Sequence, residues 1–303
     1  MPTRRLLLQA AALALALGAP ARAEAPLPVV ASFSILGDMV ERVGGERVAV
    51  TTLVGPGGDA HVYQPTPADA RALGEAELLV VNGLGFEGWI DRLVGAVGFE
   101  GAVAVASEGV EPLPAEDGHA HHGHHHGAHD PHAWQSLANG ALYAEAIARA
   151  LSEADPEGTA LFEANLAAYA AEMAALDAEI RDLVARVPPE RRTVVTSHDA
   201  FGYFGAAYGL SFAAPQGIST EAEASAADVA ALIRQIREEA IPAVFVEAIA
   251  DPRLLERIAE ETGAAIGGAL FSDALSEEDG PAATYLAMMR HNARAIAAAA
   301  GGS

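Results

Sequence analysis

The chain has no cysteine and no lysine. Without Cys there are no disulfides, no thiolate metal sites and no cysteine nucleophiles. Without Lys, all 18 basic residues are Arg, against 41 Asp and Glu, and the formal net charge is −23. A chain this acidic repels nucleic-acid backbones and anionic lipid surfaces but is compatible with a cation. Aromatic residues reach only 6%. Apolar residues still make up 51% and charged residues 19%, which excludes a disordered chain. The 303 residues suffice for two medium domains with ordinary cores. Long apolar runs are also lacking. Beyond the N-terminus, no stretch approaches the roughly 18 residues that read as a membrane span. Metal-binding and acid–base chemistry is left to carboxylates and imidazoles.

Residues 1–23 read as a secretory signal peptide. Arg4 and Arg5 give the basic start, residues 6–17 are apolar apart from Gln9, and Ala21-Arg22-Ala23 is an A-x-A cleavage site. The mature chain is expected to begin at Glu24 in the periplasm. No Cys stands at the cleavage point, so no lipid anchor is expected.

Apolar runs at 28–33, 48–54, 78–81 and 102–106 predict buried strands, with helices over 36–43, 67–76 and 89–97 between them. A low-complexity stretch at 111–129 and a helix over 133–154 follow. Asp155-Pro156-Glu157 then starts a long helix, with Asp as N-cap and Pro in the first turn. Leu161, Leu166, Tyr169, Met173, Leu176, Ile180 and Leu183 recur at helical spacing until Pro188-Pro189 stops it. About 30 residues at 1.5 Å each make a rod of roughly 45 Å. The pattern resumes with strands at 193–196, 211–213, 243–246 and 265–270 and helices at 226–240, 252–262 and 281–300. The predicted fold is α/β, with two lobes joined by one long spine helix, each lobe a mainly parallel sheet flanked by helices. The expected division is 24–154, 155–188 for the linking helix, and 189–303. A cleft between two such lobes is a natural ligand site.

Eight of the 11 His lie between His119 and His132. His119, His121, His122, His124, His125, His126 and His129 sit among Gly and Ala in a loop at 116–129 that cannot build a core. They are expected to form weak auxiliary metal sites, since ordering such a loop costs entropy. The rival reading is a spacer with incidental metal affinity. The remaining candidates stand at strand or helix ends, where open α/β sheets place ligands. His61 lies in Gly57-Gly58-Asp59-Ala60-His61, and His132 in Asp130-Pro131-His132-Ala133-Trp134. His198 lies in Thr196-Ser197-His198-Asp199, and Asp273 follows the last predicted strand. Alone, His61 reads as a surface-loop residue and Asp273 as a turn or cap, while His132 is expected at a helix entry and His198 at a strand end. Together they form a four-coordinate set suited to tetrahedral Zn2+. Glu247, at another strand end, is a candidate for orienting a ligand His. Asp199 is a candidate helix cap, and His291 a surface residue.

The chain resembles the metal-specific solute-binding proteins of bacterial ABC importers, those for zinc and manganese. The resemblance covers nearly the whole mature chain. It rests on residues 30–38 (VASFSILGD), the motif around His61 with Tyr63-Gln64-Pro65-Thr66-Pro67, Asp130-Pro131-His132-Ala133-Trp134, the spine helix, residues 196–204 (TSHDAFGYF) and Asp273-Ala274-Leu275-Ser276. It implies that His61, His132, His198 and Asp273 are metal ligands, and that the protein is a non-catalytic monomer delivering its ion to a membrane permease. A periplasmic zinc metallochaperone is a further candidate partner. Manganese-selective members place Glu at the position of His198, and the histidine-rich insert resembles the zinc branch. The expected cargo is therefore Zn2+, with Mn2+ as the alternative and an exported zinc hydrolase as a third reading.

Overall fold

Two four-stranded parallel sheets, one per lobe, share a single strand order. The computed structural model describes residues 25–115 and 129–301. The expected signal peptide and His119, His121, His122, His124, His125 and His126 lie outside the described residues. In the N-terminal lobe β1 (Leu27–Phe33), β2 (Val48–Val54), β3 (Leu78–Val81) and β4 (Ala102–Val105) run in the order β2-β1-β3-β4. In the C-terminal lobe β5 (Thr193–Val195), β6 (Ser211–Ala213), β7 (Ala243–Glu247) and β8 (Ala265–Leu270) run β6-β5-β7-β8. The chain direction across each sheet reverses beside its first strand, and such switch points open a crevice at the strands' carboxyl ends.

Helices cover the sheets as crossover connections require. They are α1 (Ser34–Gly44), α2 (Pro67–Glu75), α3 (Ile90–Val97) and α4 (Leu137–Ala154), then the spine α5 (Thr159–Val184). The C-terminal lobe adds α6 (Gly202–Tyr208), α7 (Ala226–Glu238), α8 (Arg253–Thr262) and α9 (Tyr285–Gly301). Local chemistry sets several boundaries. Thr66 and Asp69 form a reciprocal capping box ahead of Pro67 at the start of α2. Asp155 accepts the Gly158 N–H and pairs with Arg47 at 2.7 Å, fixing the turn between α4 and α5.

The spine is shorter than its sequence pattern suggests. Its 26 residues give about 39 Å. It ends at Val184, before the proline pair, and a 3-10 turn at Pro156–Gly158 takes up its expected start. The expected helix over 133–154 is also divided. A 3-10 turn at Ala133–Gln135 and an extended Ser136 precede α4, and His132 is the residue that caps this turn. Strands β2 and β4 are not the buried strands their mostly apolar runs predict. Both are sheet edges, and Val103 is 52% exposed.

One apolar cluster runs from Phe33 and Trp134 of the N-terminal lobe through the spine at Tyr169 to Tyr285 and Met289 of α9, and reaches into the C-terminal lobe at Val194, Phe204 and Phe245. A smaller one lies beneath α7 and α8, around Val195, Leu232, Val244 and Ile258. Asp38 of α1 is built into the larger cluster, where it accepts the first N–H of α9, from Tyr285, at 2.9 Å. Burial pushes its carboxyl up to about 6, against the lowering effects of that N–H and of Arg42. A carboxyl whose pKa rises on folding adds stability that is fully present below its unfolded value near 4 and is lost as pH climbs through 6. Asp38→Asn should therefore stabilise the protein at pH 8, by at most about 3 kcal/mol, and change little at pH 4. Thermal unfolding at both pH values checks this, and an equal shift at both would refute it.

Candidate metal centre

Each expected ligand follows a strand at the carboxyl edge of its sheet. The loop after β2 turns at Gly57, whose φ of 66° is left-handed backbone that suits glycine. Further along the loop, Asp59 Oδ1 accepts the His61 N–H at 2.9 Å. Trp89 Nε1–H holds the Ala60 carbonyl at 2.7 Å, and the His61 ring meets Phe86 edge-on at 4.7 Å. After β4, Asp130 Oδ1 accepts both the His132 N–H at 2.9 Å and its Nδ1–H at 2.7 Å. Asn82 Nδ2–H donates to the Pro131 carbonyl at 3.0 Å, and Trp134 packs on the imidazole at 5.3 Å.

In the C-terminal lobe, Glu247 at the end of β7 holds His198. Its Oε1 accepts the Ser197 and His198 N–H groups, each at 2.8 Å, and its Oε2 lies 2.7 Å from His198 Nδ1. Glu247 thus combines the ligand-orienting and lobe-internal roles that the sequence left open. Asp273 follows β8.

The structure brings all four residues together. His61 is 7% exposed and the other three are fully buried. Their donor atoms lie within 4.8 Å of one another. Nε2 of His61 stands 3.3 Å from Nε2 of His132. Asp273 Oδ2 is 3.3 Å from His61 Nε2 and 3.2 Å from His198 Nε2, and Oδ1 is 3.6 Å from His132 Nε2. Carboxylates beside the Nδ1 atoms of His132 and His198 orient each ring so that Nε2 faces the centre, the arrangement that metal-ligating histidines show.

Charge is distributed unevenly across this cluster. Burial pushes the His61 imidazole down, and the Asp273 carboxylate only partly offsets it. Burial also works against the His198 imidazolium, but Glu247 and Asp273 overcome it and hold His198 well above its ordinary value. Asp273 is held well below the carboxylate range. Burial opposes this, and the His198 and His132 imidazoles prevail. A buried carboxylate facing imidazole nitrogens is suited to a divalent cation, which displaces protons as it binds.

His129 does not join the cluster. It is exposed and forms a β-bridge with Pro114 at the base of the histidine-rich loop. His291 is half-buried, with Nε2 3.0 Å from the Ala269 carbonyl. The cap expected of Asp199 is not made, since α6 starts from Phe201 with no side-chain cap. Sequence reasoning missed Asp130 and Asp59 as partners of the ligand loops. The signal was present, because each is an Asp two residues before a candidate His, the spacing of an Asx turn.

Two parallel-sheet lobes joined by a long helix, with a buried His/Asp cluster between them, define a protein built to hold a metal ion in its cleft. The chain belongs to the family described as ZnuA, zinc-uptake complex component A, periplasmic, whose profile matches residues 29–299. The manganese-binding lipoprotein MntA of Halalkalibacterium halodurans is 36% identical, over 88% of this chain and 86% of that protein. The periplasmic zinc-binding protein TroA of Treponema pallidum superposes with a TM-score of 0.85 at 32% identity, over 92% of this chain and all of that one. A manganese-bound variant of a periplasmic metal-binding protein from Candidatus Liberibacter asiaticus gives a TM-score of 0.81 at 32% identity, over 89% and 97% of the two chains. The family and fold are those of non-catalytic periplasmic solute-binding proteins that deliver a divalent metal to an ABC permease. The hydrolase reading is thereby set aside.

Proposed function

We propose that His61, His132, His198 and Asp273 are the ligands of the transported ion. One observation carries this: four buried donors from both lobes converge on a gap that fits a single cation. The signal peptide at 1–23 and the division into 24–154, 155–188 and 189–303 belong to the same proposal, as export and capture between lobes require both.

Manganese is the cargo the similar proteins support better, since two of the three named above carry it in their descriptions. Asp273 also turns both oxygens toward the imidazoles, so it can give a fifth bond, and carboxylate oxygen suits Mn2+. Zinc is favoured by the spacing of the donors. Bonds of 2.0–2.1 Å to a tetrahedral ion place its ligands about 3.3–3.4 Å apart, which the 3.3 and 3.2 Å from Asp273 Oδ2 to His61 and His198 and the 3.3 Å between His61 and His132 match, within a donor set that spreads to 4.8 Å. The third imidazole, His198, points the same way. Loading by a metallochaperone belongs to the zinc reading.

Zinc binds nitrogen–oxygen sites more tightly than manganese whichever ion is transported, so affinity alone does not name the cargo. The deciding measurement is the metal content of the exported protein isolated from cells supplied with both ions. About one manganese per chain supports the first reading, one zinc the second, and neither ion would overturn the site. His198→Glu should shift zinc–manganese competition toward manganese by about tenfold, roughly 1.4 kcal/mol. An unchanged ratio would count against His198 as a ligand.

A further inference from the structure

Chain order assigns two of these ligands to each lobe, but the hydrogen bonds divide them differently. The turn that carries Asp273 is tied to the N-terminal lobe on both sides of the residue. The Ser272 carbonyl accepts from Trp134 Nε1–H at 2.9 Å and from Gln135 Nε2–H at 2.8 Å. The Leu275 N–H donates to Ser34 Oγ at 2.9 Å, and the Leu275 carbonyl accepts the Gly57 N–H at 3.0 Å. Further along, the Tyr285 hydroxyl donates to the Trp134 carbonyl at 2.6 Å.

The turn that carries His198 has its anchors in its own lobe. Glu247 holds the ring and two backbone N–H groups. The Thr196 N–H donates to Ala213 at 3.0 Å, and the Asp199 N–H to Gly217 at 3.2 Å. The side-chain ties that cross from this lobe to the other include those of Tyr203, whose hydroxyl donates to the Asp130 carbonyl at 2.8 Å and accepts the Leu113 N–H at 2.9 Å, and of Thr220, whose Oγ1–H donates to Asp59 at 2.7 Å. None of these is made by the His198 turn itself.

We propose that Trp134 and Gln135 fix Asp273 to the N-terminal lobe, so that the site parts as three ligands and one. His61, His132 and Asp273 stay together, and His198 withdraws with β5 and β7 when the lobes separate. This rests on the reading of the four residues as ligands. Gln135 is the positioning residue best suited to a test, because Trp134 also fills the core against Phe33 and Phe86. On this arrangement the first step of release breaks one metal–protein bond instead of two. The ion is then presented on a three-ligand cradle with one face open.

The chain's lack of Cys allows labelling at introduced thiols without background. Glu77 on the N-terminal lobe, Glu278 beyond Asp273 and Glu260 on α8 are exposed positions for Cys substitution and spin-labelling in pairs. Pulsed dipolar distances would be taken on the full mature chain, metal-free and loaded with Zn2+ as a diamagnetic probe. The 77–278 distance should stay fixed, while 77–260 and 260–278 change together by roughly 2 Å or more. A 77–278 distance that follows 77–260 overturns the proposal. So does the absence of change in every pair, because the site then does not part. Gln135→Met keeps the bulk and removes the donor. It should release zinc about tenfold faster and let the 77–278 distance vary. An unchanged release rate in the folded variant removes Gln135 from the role. If that variant does not fold, the unsubstituted distances still decide. A wild-type chain that binds no zinc defeats the reading of the site, whatever the distances show.

Discussion

Asp273→Ala should weaken metal binding about a thousandfold, taking roughly 4 kcal/mol for breaking a buried charge pair. Asp273 is the carboxylate among the four donors, is fully buried, and lies within 3.6 Å of all three imidazole nitrogens. In the variant, a divalent ion meets only neutral ligands. Competitive titration of metal-free protein against a chelator measures the effect. A loss below about tenfold would mean that Asp273 serves the fold and not the ion.

Glu247→Gln should have the next largest effect, a loss of about 10- to 100-fold typical of a carboxylate that orients a ligand histidine. It should also change the proton balance. Glu247 and Asp273 keep His198 charged in the metal-free protein well above the usual imidazole range. The incoming ion must displace that proton, so affinity rises with pH until His198 is neutral on its own. At pH 7 the wild type should release about one proton from His198 per ion, and Glu247→Gln a smaller number. Calorimetry in buffers of different ionisation enthalpy counts these protons. Equal counts in the two proteins would show that Glu247 does not control His198.

His198 and Asp273 were legible because each closely follows an apolar run, and the carboxyl ends of parallel strands face the same crevice, whereas His61 and His132 come later in their loops and were legible from the motifs around them. The spine was legible from its spacing of buried residues, Tyr169, Met173, Leu176 and Ile180. Other features depend on partners far away in the chain. Nothing near Gln135 indicates that its amide meets Ser272, 137 residues on. The exposure of β2 and β4 depends on sheet order, which a mostly apolar run does not encode. Asp130 read as a stiff lead before a proline, when its carboxylate also holds the His132 ring. The ion itself was the least legible feature. An imidazole at position 198 favours zinc by its chemistry, yet similar proteins that carry manganese share the fold and over 30% of the sequence.

The small apolar cluster beneath α7 and α8 gives the molecule two stabilities instead of one. Val195, Leu232, Ile236, Val244, Leu255 and Ile258 form it apart from the main core, so this corner should open at a lower free energy than the body. Its backbone amides should then exchange with solvent sooner than those of α1, α5 and α9, which native-state hydrogen exchange measures. Val195 and Val244 tie this softer corner to the strands that position His198 and Glu247. Heat or mild denaturant should therefore loosen the His198 side of the centre while most of the protein is still native.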